Sequence, residues 1–185
     1  MGPLIPSITL TDSDEVTSHL MTAERTEKNP NGTSFQLGNA ITSKGNLVMV
    51  CKANPNDPLY YQYFCHGHSL GTYRRFGYSV CSGESILRAL IDDYVEIGAG
   101  QTVSETIQLL KSGDIVSFAE LSGRIMHTAK VFCIDINPSD PLRPIKFADI
   151  TLLTKNGCNS DYLQPILNIV RTYPMTRIIR FWRPR

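Results

Sequence analysis

The sequence predicts an α+β fold in which helices come first and an antiparallel sheet follows. Two observations carry that expectation. Apolar residues recur at helical spacing through the middle of the 185-residue chain, and β-branched runs separated by Gly- and Pro-containing turns fill its last third. Composition adds a third: 42% apolar against 19% charged residues is the balance of a chain able to bury a core.

In chain order, residues 1–34 are rich in Ser, Thr, Asp, Glu and Asn and show almost no apolar periodicity. They read as a polar, flexible leader, with residues 35–185 forming one domain. Residues 35–53 predict a hairpin, because Leu37, Ile41, Leu47, Val48 and Val50 flank the turn-forming Ser43-Lys44-Gly45-Asn46. Ser82 is placed to cap a helix whose Ile86, Leu87, Leu90, Ile91 and Tyr94 share one face. Thr102 and Glu105 have capping-box spacing, and Gly113 suits the stop of a short helix. Residues 114–118, 124–135 and 147–154 predict three strands, the last two joined by a proline-rich connection. Residues 161–171 predict a helix with Leu163, Ile166, Leu167 and Val170 inward, and residues 177–182 a final strand.

Eighteen Lys+Arg against 17 Asp+Glu give a net charge of +1, which excludes nucleic-acid binding by phosphate neutralisation alone. No apolar run approaches the ~20 residues that span a bilayer. The first residues lack a basic n-region and an apolar h-region, so no signal peptide is expected and the chain reads as cytoplasmic as made. The five cysteines, Cys51, Cys65, Cys81, Cys133 and Cys158, are odd in number and scattered, which argues against a disulfide framework and leaves any single pair unassignable.

The densest cluster of reactive side chains is Cys65-His66-Gly67-His68-Ser69-Leu70-Gly71-Thr72, after the aromatic run 59–64. A thiol attacks only as the thiolate, which helix-start amides and an imidazole favour. Cys65 precedes a stretch able to open a helix. The histidine must come from elsewhere in the chain, and His127, at the start of a predicted strand, is the only later one.

Cys65-His66-Gly67, then Lys111-Ser112-Gly113-Asp114-Ile115-Val116-Ser117-Phe118, then His127-Thr128-Ala129-Lys130-Val131 resemble, in order and spacing, the NlpC-type papain-like cysteine hydrolases. Phe64 stands where that family usually has Asp. The resemblance implies a papain-like fold, with a helix carrying the nucleophile Cys65 packed on an antiparallel sheet carrying the base His127. It also implies a third polar group on the strand after the histidine strand. Antiparallel pairing puts His127 across from residues 154–156, so Asn156 is the first choice, with Thr154 and Asp149 as alternatives. Tyr60, Tyr61, Tyr63 and His66 are candidates for binding the substrate or its developing oxyanion. The implied substrate is a peptide or a peptidoglycan stem peptide, with no metal and no cofactor. Without a signal peptide, such an enzyme is either exported by a signal-independent system as an antibacterial toxin, with a cognate inhibitor protein as partner, or acts inside the cell as a protein deamidase or protease.

Other readings use the same residues. Gly67-His68-Ser69-Leu70-Gly71 is a literal nucleophile-elbow pattern, which would make Ser69 the nucleophile of a serine esterase with Asp92, Asp93 or Asp114 as acid and His127 as base. That fold needs several parallel strands upstream, and the sequence offers one hairpin. Cys65, His66, His68 and Cys81 as zinc ligands are spaced too tightly for the usual ligand pairs. A binding domain without chemistry is the remaining alternative.

Overall fold

The computed structural model describes residues 22–28, 34–53, 56, 65–72, 79–136, 139–156 and 160–185. Numbered in chain order, the first strands are β1 (Thr22–Lys28), β2 (Ser34–Ile41) and β3 (Leu47–Ala53), followed by helix α1 (Cys65–Leu70) and the short β4 (Ser79–Val80). These strands form an antiparallel sheet in the order β1-β2-β3-β4. Next come α2 (Gly83–Asp93), β5 (Tyr94–Glu96), α3 (Val103–Thr106), β6 (Ile115–Ala119), β7 (Ile125–Ile134) and β8 (Ile150–Lys155). The chain ends with β9 (Asp161–Pro165), α4 (Ile166–Thr172) and β10 (Ile178–Pro184). The second sheet, β5-β10-β6-β7-β8-β9, is antiparallel at every pairing. The architecture is α+β, but strands rather than helices come first, because β1–β3 form a sheet of their own ahead of α1.

The locally encoded elements form where expected. The Ser82 hydroxyl accepts a hydrogen bond from the Ser85 amide at 3.2 Å, starting α2, which buries Ile86, Ala89 and Leu90. Ile91, expected inward, lies on the exposed side. Thr102 and Glu105 make the reciprocal capping box of α3.

Two expectations are corrected. The polar leader does not extend to residue 34: Thr22–Lys28 pairs with β2 from Thr22↔Asn39 to Lys28↔Ser34. An edge strand is held by its backbone ladder, so polar composition does not mark it. The helix expected at 161–171 begins only at Ile166, because Asp161–Pro165 extends the sheet along β8, with Leu153 opposite Leu163. Pro165 was the signal that the helical pattern obscured, since it biases Gln164 toward extended backbone and stands just before the first helical residue.

Alternation along β6 and β10 divides the core. Ile115, Ala119 and Trp182 join Val48, Val50 and Val80 of the first sheet and Ile86 and Leu90 of α2 in one cluster, so both sheets pack around α2. Val116, Phe118 and Phe181 point the other way, toward Leu152, Ile166 and Ile169. Trp182 donates its indole N–H to Ser117 Oγ at 2.8 Å, which satisfies the one polar atom of that buried ring. Helix α1 rests on β4, β7 and β8. No helix among the described residues is long and apolar enough to cross a membrane.

Candidate active site

Gly67 explains how closely α1 approaches the sheet. A Cβ at that position would overlap the Ser79 side chain and lie 3.3 Å from Ser79 Cα. The glycine of the Cys-His-Gly motif therefore lets the helix settle on β4 and bring Cys65, its first residue, to β7. The Cys65 thiol is buried, and burial pushes it up to about 11. Backbone amides of Thr128, His66 and Cys65 itself oppose that rise, as does the charge of Lys155. The contact with Thr128 places the sulfur at the residue next to His127.

His127 stands opposite Phe118 in the β6–β7 register, on the same side of β7 as Ala129 and Val131. Its neighbour Thr128 points to the other side, where its hydroxyl shares a 2.9 Å hydrogen bond with His66 Nδ1. His127 Nε2 shares a 2.7 Å hydrogen bond with the Thr154 hydroxyl on β8. Tyr173, at the C-terminal end of α4, stacks on the imidazole with ring centroids 4.6 Å apart and planes 19° from parallel. Ring tilt and rotation are thereby fixed, while Nδ1 is buried with no hydrogen-bond partner among the described residues. Burial pushes His127 down to about 4, and burial together with His127 pushes His66 down to about 3. Both imidazoles are neutral at pH 7. Thiol and imidazole are thus both un-ionised at rest, and the sulfur is held at the Thr128 amide rather than on the ring.

The expected third residues separate clearly. Thr154 contacts the imidazole. Asn156, the first choice, instead accepts a 3.0 Å hydrogen bond from the Tyr173 hydroxyl and reaches His127 only through that ring. Asp149 is taken up by Arg143 at 2.7 and 3.0 Å and by the Lys146 amide, which hold its carboxyl down to about 2, and it does not contact the histidine. The expected order is corrected at one place: Thr154, not Asn156, contacts the ring, while Asp149 is the last of the expected choices. The reason is side-chain reach: the β7–β8 register, with Lys130 opposite Leu153, carries His127 toward residue 156, but the short threonine two residues earlier on the same face fills the space beside Nε2.

His66 is spent on Thr128. Tyr60, Tyr61 and Tyr63 lie outside the described residues. Ser69 is buried within α1 and donates to the Cys65 carbonyl at 2.8 Å, an ordinary intrahelical back-bond. Asp92 and Asp93 engage the β2–β3 turn, and Asp114 is held by Arg183. Among the described residues, no group of three His, Cys, Asp or Glu side chains is placed to hold a metal ion.

Two contributors carried no sequence signal, and His68 takes a role other than the one weighed for it. Lys155 follows Thr154, is fully buried, and is near enough for its charge to favour the Cys65 thiolate. Tyr173 caps the imidazole from α4. His68 pairs with Asp161 of β9 at 3.3 Å and ties α1 to the far strand of the sheet. A groove of about 570 Å³ beside Val95, Leu109 and Arg183 involves none of these side chains.

No family model, no curated protein and no solved structure matches the chain.

Proposed function

We propose that the chain is a papain-like cysteine hydrolase of amide bonds, with Cys65 as nucleophile, His127 as general base and acid, and Thr154 as the group that orients the imidazole. The observation that supports this reading is the buried Nδ1 of His127, left without a partner while Nε2 is fixed, one residue from the amide that holds the Cys65 sulfur. A fold rarely buries an acceptor unpaired, and the ring atom turned from Thr154 is the one a thiol proton needs.

Because both partners are neutral at rest, the proton moves as the bond forms. Sulfur attacks the amide carbonyl, its proton passes to Nδ1, and the carbonyl electrons become an oxyanion that the Lys155 charge favours. The imidazolium then protonates the leaving amine, the C–N bond breaks, and water attacks the thioester, giving its proton back to the ring and releasing carboxylate and thiol. Peptidoglycan stem peptides are the substrate class favoured by the NlpC-type resemblance. A side-chain amide of a protein is the alternative, because the same acyl-enzyme resolves both. A binding domain without chemistry is favoured by one observation, the neutral and unconnected state of thiol and imidazole.

Digestion of purified peptidoglycan and of a denatured protein mixture, with mass analysis of both, tests the reading. Wild type is expected to release stem-peptide fragments gaining water at one amide, and Cys65→Ala none. Mass gains confined to glutamine or asparagine side chains would move the substrate to proteins. No Cys65-dependent product from either would leave the binding reading.

A further inference from the structure

Outside that site, β3 and β4 bring two more thiols together. Val50 pairs with Val80, and both side chains enter the core. Cys51 pairs with Ser79, and the Cys81 amide donates to the Met49 carbonyl at 3.0 Å. Alternation then puts Cys51, Ser79 and Cys81 on one face, the face on which Ser79 meets Gly67 of α1. The Cys51 and Cys81 side chains are within hydrogen-bond contact, and both are reduced here. Cys51 is buried and Cys81 half-buried. The segment between them, 52–80, contains the whole of α1 with Cys65.

We propose that Cys51 and Cys81 are a redox-modification site, closing to a disulfide by exchange with a low-molecular-weight disulfide such as glutathione disulfide and clasping the segment that carries α1. Cys81, the more accessible sulfur, attacks the glutathione disulfide as its thiolate. An S–S bond forms to Cys81, the old S–S bond breaks, and one glutathione thiol leaves with the proton. Cys51 then attacks the Cys81 sulfur, gives up its own proton, and releases the second glutathione. Two protein thiols are oxidised and one glutathione disulfide is reduced. The Cys81 hydrogen bond and burial push Cys51 up, so it takes the second, intramolecular step, where proximity replaces nucleophilicity. Cys81 lies two residues beyond Ser79, the residue opposite Cys51, so the two sulfurs are diagonal neighbours and bonding takes a small backbone shift as well as side-chain rotation. Closing a long segment restrains the unfolded chain more than closing a short one.

The test is exposure of the native full chain to glutathione disulfide, blocking with N-ethylmaleimide, digestion without reductant and peptide mass mapping. The expected product is a cross-linked peptide containing Cys51 and Cys81, lost on reduction, with a Tm several degrees above that of the reduced protein. Cys51→Ser is expected to stop at a glutathione adduct on Cys81. Cys81→Ser, which alters only the half-buried partner, is expected to give neither adduct nor Tm shift. Cys65→Ala should leave the cross-link intact, which separates this proposal from the hydrolase reading. Recovery of Cys51 and Cys81 as maleimide adducts while other cysteines carry glutathione, or a cross-link joining a different pair, would overturn it.

Discussion

Asp92 and His127 are both almost fully buried, and each takes a 2.7 Å hydrogen bond with a threonine hydroxyl, Thr42 and Thr154 respectively. They differ in what surrounds the rest of the group. Asp92 also accepts from Asn46 at 2.8 Å and has Lys44 at 4.0 Å. Burial pushes its carboxyl up, but those hydrogen bonds, with Arg88 and Lys44, more than offset this and hold it below the usual range. His127 keeps one nitrogen with nothing to bond among the described residues. A closed polar cluster is a clamp, here fastening the β2–β3 turn to the end of α2. An open one stores an unmet hydrogen bond, and such a group costs ~1–3 kcal/mol unless something arrives to use it.

The sharpest way to break this contrast is to remove each group in turn. Under the proposed chemistry, His127→Gln lowers kcat by ~10²–10⁴-fold, the range for losing a general base, with little change in Tm. Asp92→Asn does the reverse, leaving kcat alone and lowering Tm. Amide-release kinetics and thermal melts on the same two proteins read both effects. Equal loss of Tm in the two variants would make His127 a structural residue like Asp92.

Acid separates the clusters next. His127 is depressed from 6.5 to about 4 in the folded chain, so its neutral form stabilises the fold fully above pH 6.5, and that contribution is lost as pH falls toward 4. The loss on charging is about 3 kcal/mol for His127, a cost that an uncharged replacement such as Gln does not incur, and His66, depressed to about 3, adds in the same direction. Asp92 is depressed too, but as a carboxylate it stabilises above its ordinary value near pH 4, and its share goes only below that. Urea midpoints measured from pH 7 to pH 3 should therefore fall in two stages. His127→Phe should make the upper stage shallower, with His66 still contributing to it, and leave the lower one. A wild-type midpoint constant from pH 6.5 to 4 would mean that the imidazoles are not buried neutral.

How far the sequence announced these clusters depends on how local their parts are. Ser82, Thr102 and Glu105 act within four residues of themselves, so their caps were readable, and so was the hairpin around Gly45, which takes φ +82° in the turn. Strands β1 and β9 were not, since each is made by pairing with a neighbour rather than by its own side chains. At the site, Cys65 and His127 stood out because their chemistry is rare in the chain, and pairing arithmetic brought the third group to within two residues. It could not choose between Thr154 and Asn156, because that depends on Tyr173, which arrives from α4 after a strand the sequence concealed. Lys155 was invisible for a related reason: a lysine ending a strand reads as solvated unless the helix that buries it is already placed.

A smaller effect tests the clamp itself. Thr42→Val keeps the shape and removes a hydrogen bond to an ionised carboxylate, so it should destabilise by ~2 kcal/mol with kcat unchanged. Denaturant midpoints at constant m-value check it. A shift near zero would mean that Asn46 and Lys44 close the cluster alone, making it redundant in a way the His127 cluster is not.

The finest distinction lies between Thr154 and Asn156, because both touch the imidazole environment but only one touches the imidazole. Thr154→Val deletes the hydrogen bond at Nε2 and leaves the ring held by stacking alone. Losing ~1 kcal/mol of orientation should lower kcat by roughly fivefold to tenfold, while Thr154→Ser, which keeps the hydroxyl, restores most of it. Asn156→Ala releases only the Tyr173 hydroxyl; the stacked ring remains, packed from α4, and kcat should change by less than ~2-fold on that account. The ordering matters more than either size. If Asn156→Ala proved the more damaging, the ring would be steered through Tyr173, and the polar group that completes the site would lie one step further from the histidine than the 2.7 Å contact places it.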